Sequence, residues 1–281
     1  GLKMGYMLTS SDGLMVVDAA FQGQAVLKSA KLVDWHVSYS KTQGFGYSDA
    51  IGCPIFSQAA IIAIGPPVIA DLLQDQQIVG FSMTQQYWSE YWPQPCNYNY
   101  AQVYEFYNDG RFRIKGASLG RGCGNDGMYR PVFRIVPAGL QTFAQWDGSA
   151  WKDWENEQWI QEGDLATDPQ GQQFRLTAQN GPAYYMLPAQ GQFNDGGRGD
   201  KAYVYVTRRV NERDEGDSNL VTIGPCCNEN YQQGPEKFIE PSPDNIQNKK
   251  LVVWYVAQLK NDDTKGREYC WAESVLENGV Y

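Results

Sequence analysis

Residues 97–115, NYNYAQVYEFYNDGRFRIK, decide the fold class. The run from Tyr98 to Tyr107 is rich in tyrosine, valine and phenylalanine, side chains that suit a pleated, half-buried surface. Asn108, Asp109 and Gly110 follow, a turn signal because these residue types tolerate the backbone of a tight hairpin. Beyond the turn Arg111, Arg113 and Lys115 alternate with Phe112 and Ile114, the period of two that sends successive side chains to opposite faces. The stretch predicts a β-hairpin with one wet face. Its start is unusual: Tyr98 sits between Asn97 and Asn99, just after Cys96, a polar and redox-capable opening for a strand.

The same pattern recurs outward. GLMVVDAAFQGQAVLKSAKL, from Gly13, alternates around a Gln22-Gly23 turn and predicts a first strand pair. YRPVFRIVP, from Tyr129, sets Tyr129, Phe133 and Ile135 against Arg130 and Arg134, which predicts an apolar and a wet face. KAYVYVTRRV follows suit, whereas LVVWYVAQL, from Leu251, is apolar throughout, as in a strand covered on both faces. The segment PPVIADLLQDQQIVG fits either a short helix or clipped strands, and strands are the expectation. Gly- and Asn-rich connections such as AQGQFNDGGRGD and the acidic NERDEGD read as solvated loops, so the 281 residues are expected to form one all-β domain, 1–281.

Charge and composition narrow the function. A net charge of −9 and a pI near 4.7 repel phosphate backbones and anionic lipid, so neither nucleic acid nor a membrane surface is an expected partner. The longest apolar run is split by Pro66 and Pro67, short of the roughly 20 unbroken residues a spanning helix needs. Gly1 is followed by LKMGYM, without the charged start and apolar block of a signal peptide. Six cysteines, Cys53, Cys96, Cys123, Cys226, Cys227 and Cys270, include no C-x-x-C pair, and His36 is the only histidine, which disfavours zinc. The even set reads as disulfides of a secreted or extracytoplasmic protein, although no Asn-x-Ser/Thr acceptor accompanies it.

Several stretches could carry chemistry. His36 lies in an alternating strand, so no Ser-His-Asp or Cys-His arrangement forms without it, and GRGCGND reads as a turn rather than a phosphate cradle. WDGSAWKDWENEQW gathers Trp146, Trp151, Trp154 and Trp159, either as hairpin packing or as a stacking platform for sugars and other flat ligands.

The opening stretch resembles the copper-dependent amine oxidases, in which a tyrosine within Asn-Tyr-Asp/Glu-Tyr is oxidised to topaquinone ahead of a Phe-Tyr-x-Asp-Gly turn. Tyr98 falls at the quinone position. GLMVVDAAFQGQAVLKSAKL resembles the start of that family's catalytic domain and DNIQNKKLVVWYV its late strand, in the same order. The resemblance implies a large antiparallel β-sandwich. It matches Asp49, in GYSDAIGC, to the catalytic base that removes a proton from the substrate carbon. It also implies three copper-ligating histidines, and here the sequence departs from the family. Gly127 and Tyr129, or Met128 and Arg130 with a one-residue slip, stand at the His-x-His positions, and a residue near Asn261 at the third. Glycine, phenol and amide do not replace imidazole for copper. The expectation is therefore no cofactor, with Tyr98 an ordinary tyrosine, and a binding or interaction protein that uses the old cleft (Tyr129, Asn261) or the tryptophans Trp146, Trp151 and Trp154. Small molecules or glycans are the expected ligands, and homo-oligomers are compatible. Two alternatives stand beside it: non-redox catalysis by Asp49 with Tyr98 or Tyr129, and an assembly subunit.

Overall fold

The computed structural model describes residues 1–9, 13–39, 47–49, 61–94, 97–119, 127–162, 165–179, 183–187, 202–210, 239, 242–257, 259–261 and 269–277, several strand ends by backbone alone. Two antiparallel sheets stack face to face. The first orders β1 (Leu2–Leu8), β2 (Leu14–Phe21), β3 (Gln24–Tyr39), β10 (Gly127–Pro137), β17 (Leu251–Val256), β16 (Tyr203–Arg208) and β13 (Gln158–Gln161), with β4 (Tyr47–Asp49) on β3 and β18 (Leu259–Asn261) on β10. The second orders β12 (Trp151–Asp153), β11 (Gln141–Trp146), β14 (Phe174–Ala178), β15 (Ala183–Leu187), β19 (Tyr269–Glu277), β9 (Phe112–Ser118), β8 (Asn99–Tyr107), β7 (Gln77–Ser89) and β5 (Ile61–Ala63), with β6 (Val68–Gln74) also on β7. This is an all-β antiparallel sandwich, as the sequence predicts, and the 66–80 segment is strand rather than helix.

Local chemistry explains the joints. Gln22 and Gly23 both take positive φ, the backbone whose twist matches the strands they join, β2 and β3. Asn108–Gly110 turns β8 into β9, with the Gly110 N–H donating to the Tyr107 carbonyl at 3.0 Å. Between the sheets, Phe112, Ile114, Phe133, Ile135, Val253 and Tyr255 pack into one core cluster. The opposite face of the hairpin is polar but largely covered rather than wet: Glu105, itself buried, pairs with Lys115 and, at 3.4 Å, with Arg113.

Two polar side chains bolt the sheets together. Gln102, fully buried on β8, accepts the Leu14 N–H at 2.9 Å and the Tyr87 hydroxyl at 3.2 Å, and donates to the Leu32 carbonyl at 3.3 Å. Tyr104 donates its hydroxyl to the Leu14 carbonyl at 2.7 Å. Gly13, at φ +78°, precedes Leu14 because a Cβ there would collide with the Tyr87 ring and Gln102.

One expectation fails on the first sheet. Arg130 and Arg134 do lie opposite Tyr129, Phe133 and Ile135, but their face is covered, each being 4% exposed. A second apolar cluster forms there from Val33, Val132, Tyr205, Val252, Trp254 and Ile239, with Arg134 over Trp254 and Arg130 over Tyr203. The fully apolar β17 needs this second cover, and all six of its residues are buried.

Candidate functional site

Tyr98 lies at the entrance to β8 and is 1% exposed. The polar residues around it make lateral links to β7. The Tyr98 N–H donates to Ser89 Oγ at 2.8 Å, the Ser89 N–H returns to the Tyr98 carbonyl at 2.9 Å, and Asn99 Oδ1 accepts from Gln86 Nε2 at 3.1 Å. The asparagine-flanked start of the strand is thus a hydrogen-bonded anchor.

Inward from that anchor is an aromatic box. Tyr98 lies 5.6 Å from Tyr100, and Tyr100 stacks on Trp35 of the opposite sheet at 4.3 Å with only 10° between the planes. Tyr129 meets both edge-on, at 6.3 and 6.4 Å. Offset-stacked and edge-to-face pairs of this kind each contribute about 0.5–1.5 kcal/mol beyond the area they bury. Gly116 on β9 makes room for the box, since a Cβ there would stand 3.1 Å from Leu32, Pro131 and Trp35.

The backbone register gathers the remaining positions at this end of the first sheet. Asp49 pairs with Val37, Val37 with Tyr129, and Tyr129 with Leu259, so the four form one row across β4, β3, β10 and β18. Gly127 stands opposite Asn261. Tyr129 belongs to the core cluster that holds Tyr98, whereas Arg130 turns to the other face and lies over Tyr203. His36 pairs with Arg130, one step off the Tyr129 row.

The tryptophans part company. Trp146 and Trp151, at the tip of the β11–β12 hairpin, pack edge to face at 5.5 Å on the outer surface of the second sheet. Trp151 also meets Tyr185 at 5.6 Å, and the Arg175 guanidinium lies 5.1 Å from its ring. The turn is pinned by Asp147, whose Oδ1 accepts the Ala150 and Ser149 N–H groups and the Ser149 hydroxyl. Those hydrogen bonds, the backbone ones foremost, lower its carboxyl to about 2. Trp154, expected beside these two, points into the core instead, 4.8 Å from Phe143. Trp159 sits on the other sheet against Tyr203 and Tyr205. Arg175 and the buried Tyr185 complete the aromatic cluster from strands remote in sequence, and nothing in FRLTA or AYYML announces it. Cys53, Cys96, Cys123, Cys226 and Cys227 lie outside the described residues, and of Cys270 only the backbone position opposite Gly116 is described.

No protein-family model and no curated protein sequence matches the chain. Solved structures do. A copper-containing benzylamine oxidase from Hansenula polymorpha superposes with a TM-score of 0.62 at 14% identity, covering 99% of this chain and 58% of that one. The fold is that of the copper amine oxidases. A Pichia pastoris lysyl oxidase (TM-score 0.58, 11% identity) and an Aspergillus nidulans amine oxidase (0.57, 13%) each match 98–99% of this chain with 50% of their own. The chain spans about half the length of these amine oxidases, and the likeness at this identity is one of fold.

The sequence resemblance sets Gly127, Tyr129 and Asn261 where that family's copper ligands stand, and none of these three residue types carries an imidazole. Tyr129 is a fully buried phenol committed to ring packing with Trp35 and Tyr100, and its neighbours in the set are a glycine and an amide. Among the described residues no three His, Cys, Asp or Glu side chains gather in a way that could hold a metal. Imidazole is the ligand that suits copper, and the set supplies none.

Proposed function

We propose that this amine-oxidase-like sandwich is a binding domain, that its ligand is a sugar held on Trp146 and Trp151 beside Arg175, and that Tyr98 works as an unmodified tyrosine. The observation that carries the reading is the contrast between two aromatic groups. The box around Tyr98 is closed by its own rings, whereas Trp146 and Trp151 stand half exposed beside a guanidinium on an outer face. An indole face accepts the C–H face of a sugar ring, and the neighbouring Arg175 offers N–H donors to ring hydroxyls.

Tryptophan fluorescence titrated with neutral, amino and acidic oligosaccharides tests this. A sugar that binds should lose at least about tenfold in affinity, roughly 1.4 kcal/mol, in Trp151→Ala and keep its affinity in Trp159→Phe, on the other sheet. Equal affinity in wild type and Trp151→Ala refutes the site.

A second reading has one observation in its favour, the row that aligns Asp49 with Tyr129. In it a carboxylate and a phenol perform proton transfer on a small molecule without redox chemistry. Asp49→Asn would then abolish turnover of the substrate found, and unchanged turnover rejects it.

A further inference from the structure

Among the described residues, the second sheet ends in a strand with one side free. β6 pairs with β7 on one edge, and no described strand takes the other. The hairpin is locally well made: Asp75 and Gln76 both take positive φ, closing a two-residue turn between Gln74 and Gln77. Yet β6 is mostly apolar and, Leu72 apart, exposed along its length. Val68 is 63% exposed and Leu73 is 68%, with Ile69 and, across the hairpin, Ile78 also in solvent. Edge strands of monomers are commonly blunted by lysine, by proline within the strand or by brevity. Here there are seven residues with no lysine, Pro66 and Pro67 precede the strand without interrupting it, and the one irregularity, a register shift between Leu72 and Leu73, leaves Val68–Leu72 in regular pairing. Alternate N–H and C=O groups along the free edge are left to water.

Charge selects what could add there. From Ile61 to Gly80 the only charged side chains are Asp71 and Asp75, and neither is paired with a cation among the described residues. Asp71 is the middle residue of β6. A second copy pairing antiparallel over the whole strand would set Asp71 against its own image, and a one-residue shift of the dyad leaves the two carboxylates diagonal neighbours. Like charges so placed destabilise a strand pair, and the net charge of −9 on each copy adds to the repulsion. An extended segment with a basic residue opposite Asp71 and β-branched residues around it meets the same edge favourably.

We propose that the free edge of β6 is a strand-addition site for an extended segment of a partner polypeptide, apolar and carrying Lys or Arg opposite Asp71. The site lies on the flank of the sandwich and is independent of the sugar reading.

The probes are capped heptapeptides of alternating valine and threonine: one with two lysines, one with two glutamates in their place, and the lysine peptide N-methylated at alternate amides. Binding is read by calorimetry and by hydrogen exchange of the amides of residues 68–74. The lysine peptide should bind and slow exchange at β6, and the glutamate and N-methylated peptides should each bind at least about tenfold more weakly. Asp71→Lys, a change at an exposed position, should reverse the charge preference. Absence of binding, equal affinity for the lysine and glutamate peptides, or binding without protection at β6 overturns the proposal. So does a dimer by light scattering whose β6 amides are protected without peptide, since the occupant would then be a second copy.

Discussion

Replacing Gln102 by leucine removes the polar bolt between the sheets while nearly conserving volume, so the cost falls on hydrogen bonding rather than on a cavity. The Leu14 N–H, 2.9 Å from Gln102 Oε1 in a fully buried residue, loses its acceptor, which costs about 1–3 kcal/mol. The longer bonds to the Tyr87 hydroxyl, 3.2 Å, and from Gln102 to the Leu32 carbonyl, 3.3 Å, add less, because both are poorer in geometry. The total is about 2–4 kcal/mol, read in urea unfolding as a lower midpoint with an unchanged slope. Tyr104→Phe, which deletes one hydroxyl bond to the Leu14 carbonyl at 2.7 Å, should cost about 1 kcal/mol. If Gln102→Leu unfolds within about 0.5 kcal/mol of wild type, the Leu14 backbone is not anchored as described and the stacking of the sheets needs another cause.

Three further outcomes follow from the packing and the charges. Gly116→Ala sets a Cβ 3.1 Å from Leu32, Pro131 and Trp35, so it should destabilise by about 1–3 kcal/mol and alter the near-ultraviolet dichroism of Trp35. Tyr184→Phe removes a buried hydroxyl that has no hydrogen-bond partner and whose ionisation burial pushes up, so thermal unfolding should find the variant at least as stable as wild type. Asp147 is depressed to about 2 in the folded protein, so its contribution is present above the ordinary carboxylate value of 3.8 and is lost as pH falls toward 2. An NMR titration should find that midpoint, and Asp147→Asn should flatten the stability profile between those two pH values.

The sequence is most informative where alternation is local. The Tyr98–Lys115 hairpin, the Gln22-Gly23 turn and the doubly covered β17 all follow from residue type and period. It is silent on what lies above a strand, which is why Arg130 and Arg134 read as wet when a second apolar cluster covers them. It also misleads where neighbours in sequence diverge in space. Trp151 ends one hairpin facing out, Trp154 turns in past the strand end, and Trp159 belongs to the other sheet, so one tryptophan cluster in sequence becomes three environments. In the first sheet Asp49 and Tyr129 share a row with Val37 between them, and Gly127 pairs with Asn261. The ring that fills the Tyr98 site, Trp35, sits next to His36, where a search for ligands looks past it.

The most direct test of the account is peptide mass spectrometry of the Tyr98-containing fragment after the purified protein has been incubated with copper(II) in air. An aromatic box with no imidazole donors predicts a fragment of unmodified tyrosine mass and no carbonyl-reactive chromophore. A fragment carrying added oxygen at Tyr98, coloured by phenylhydrazine, would contradict it.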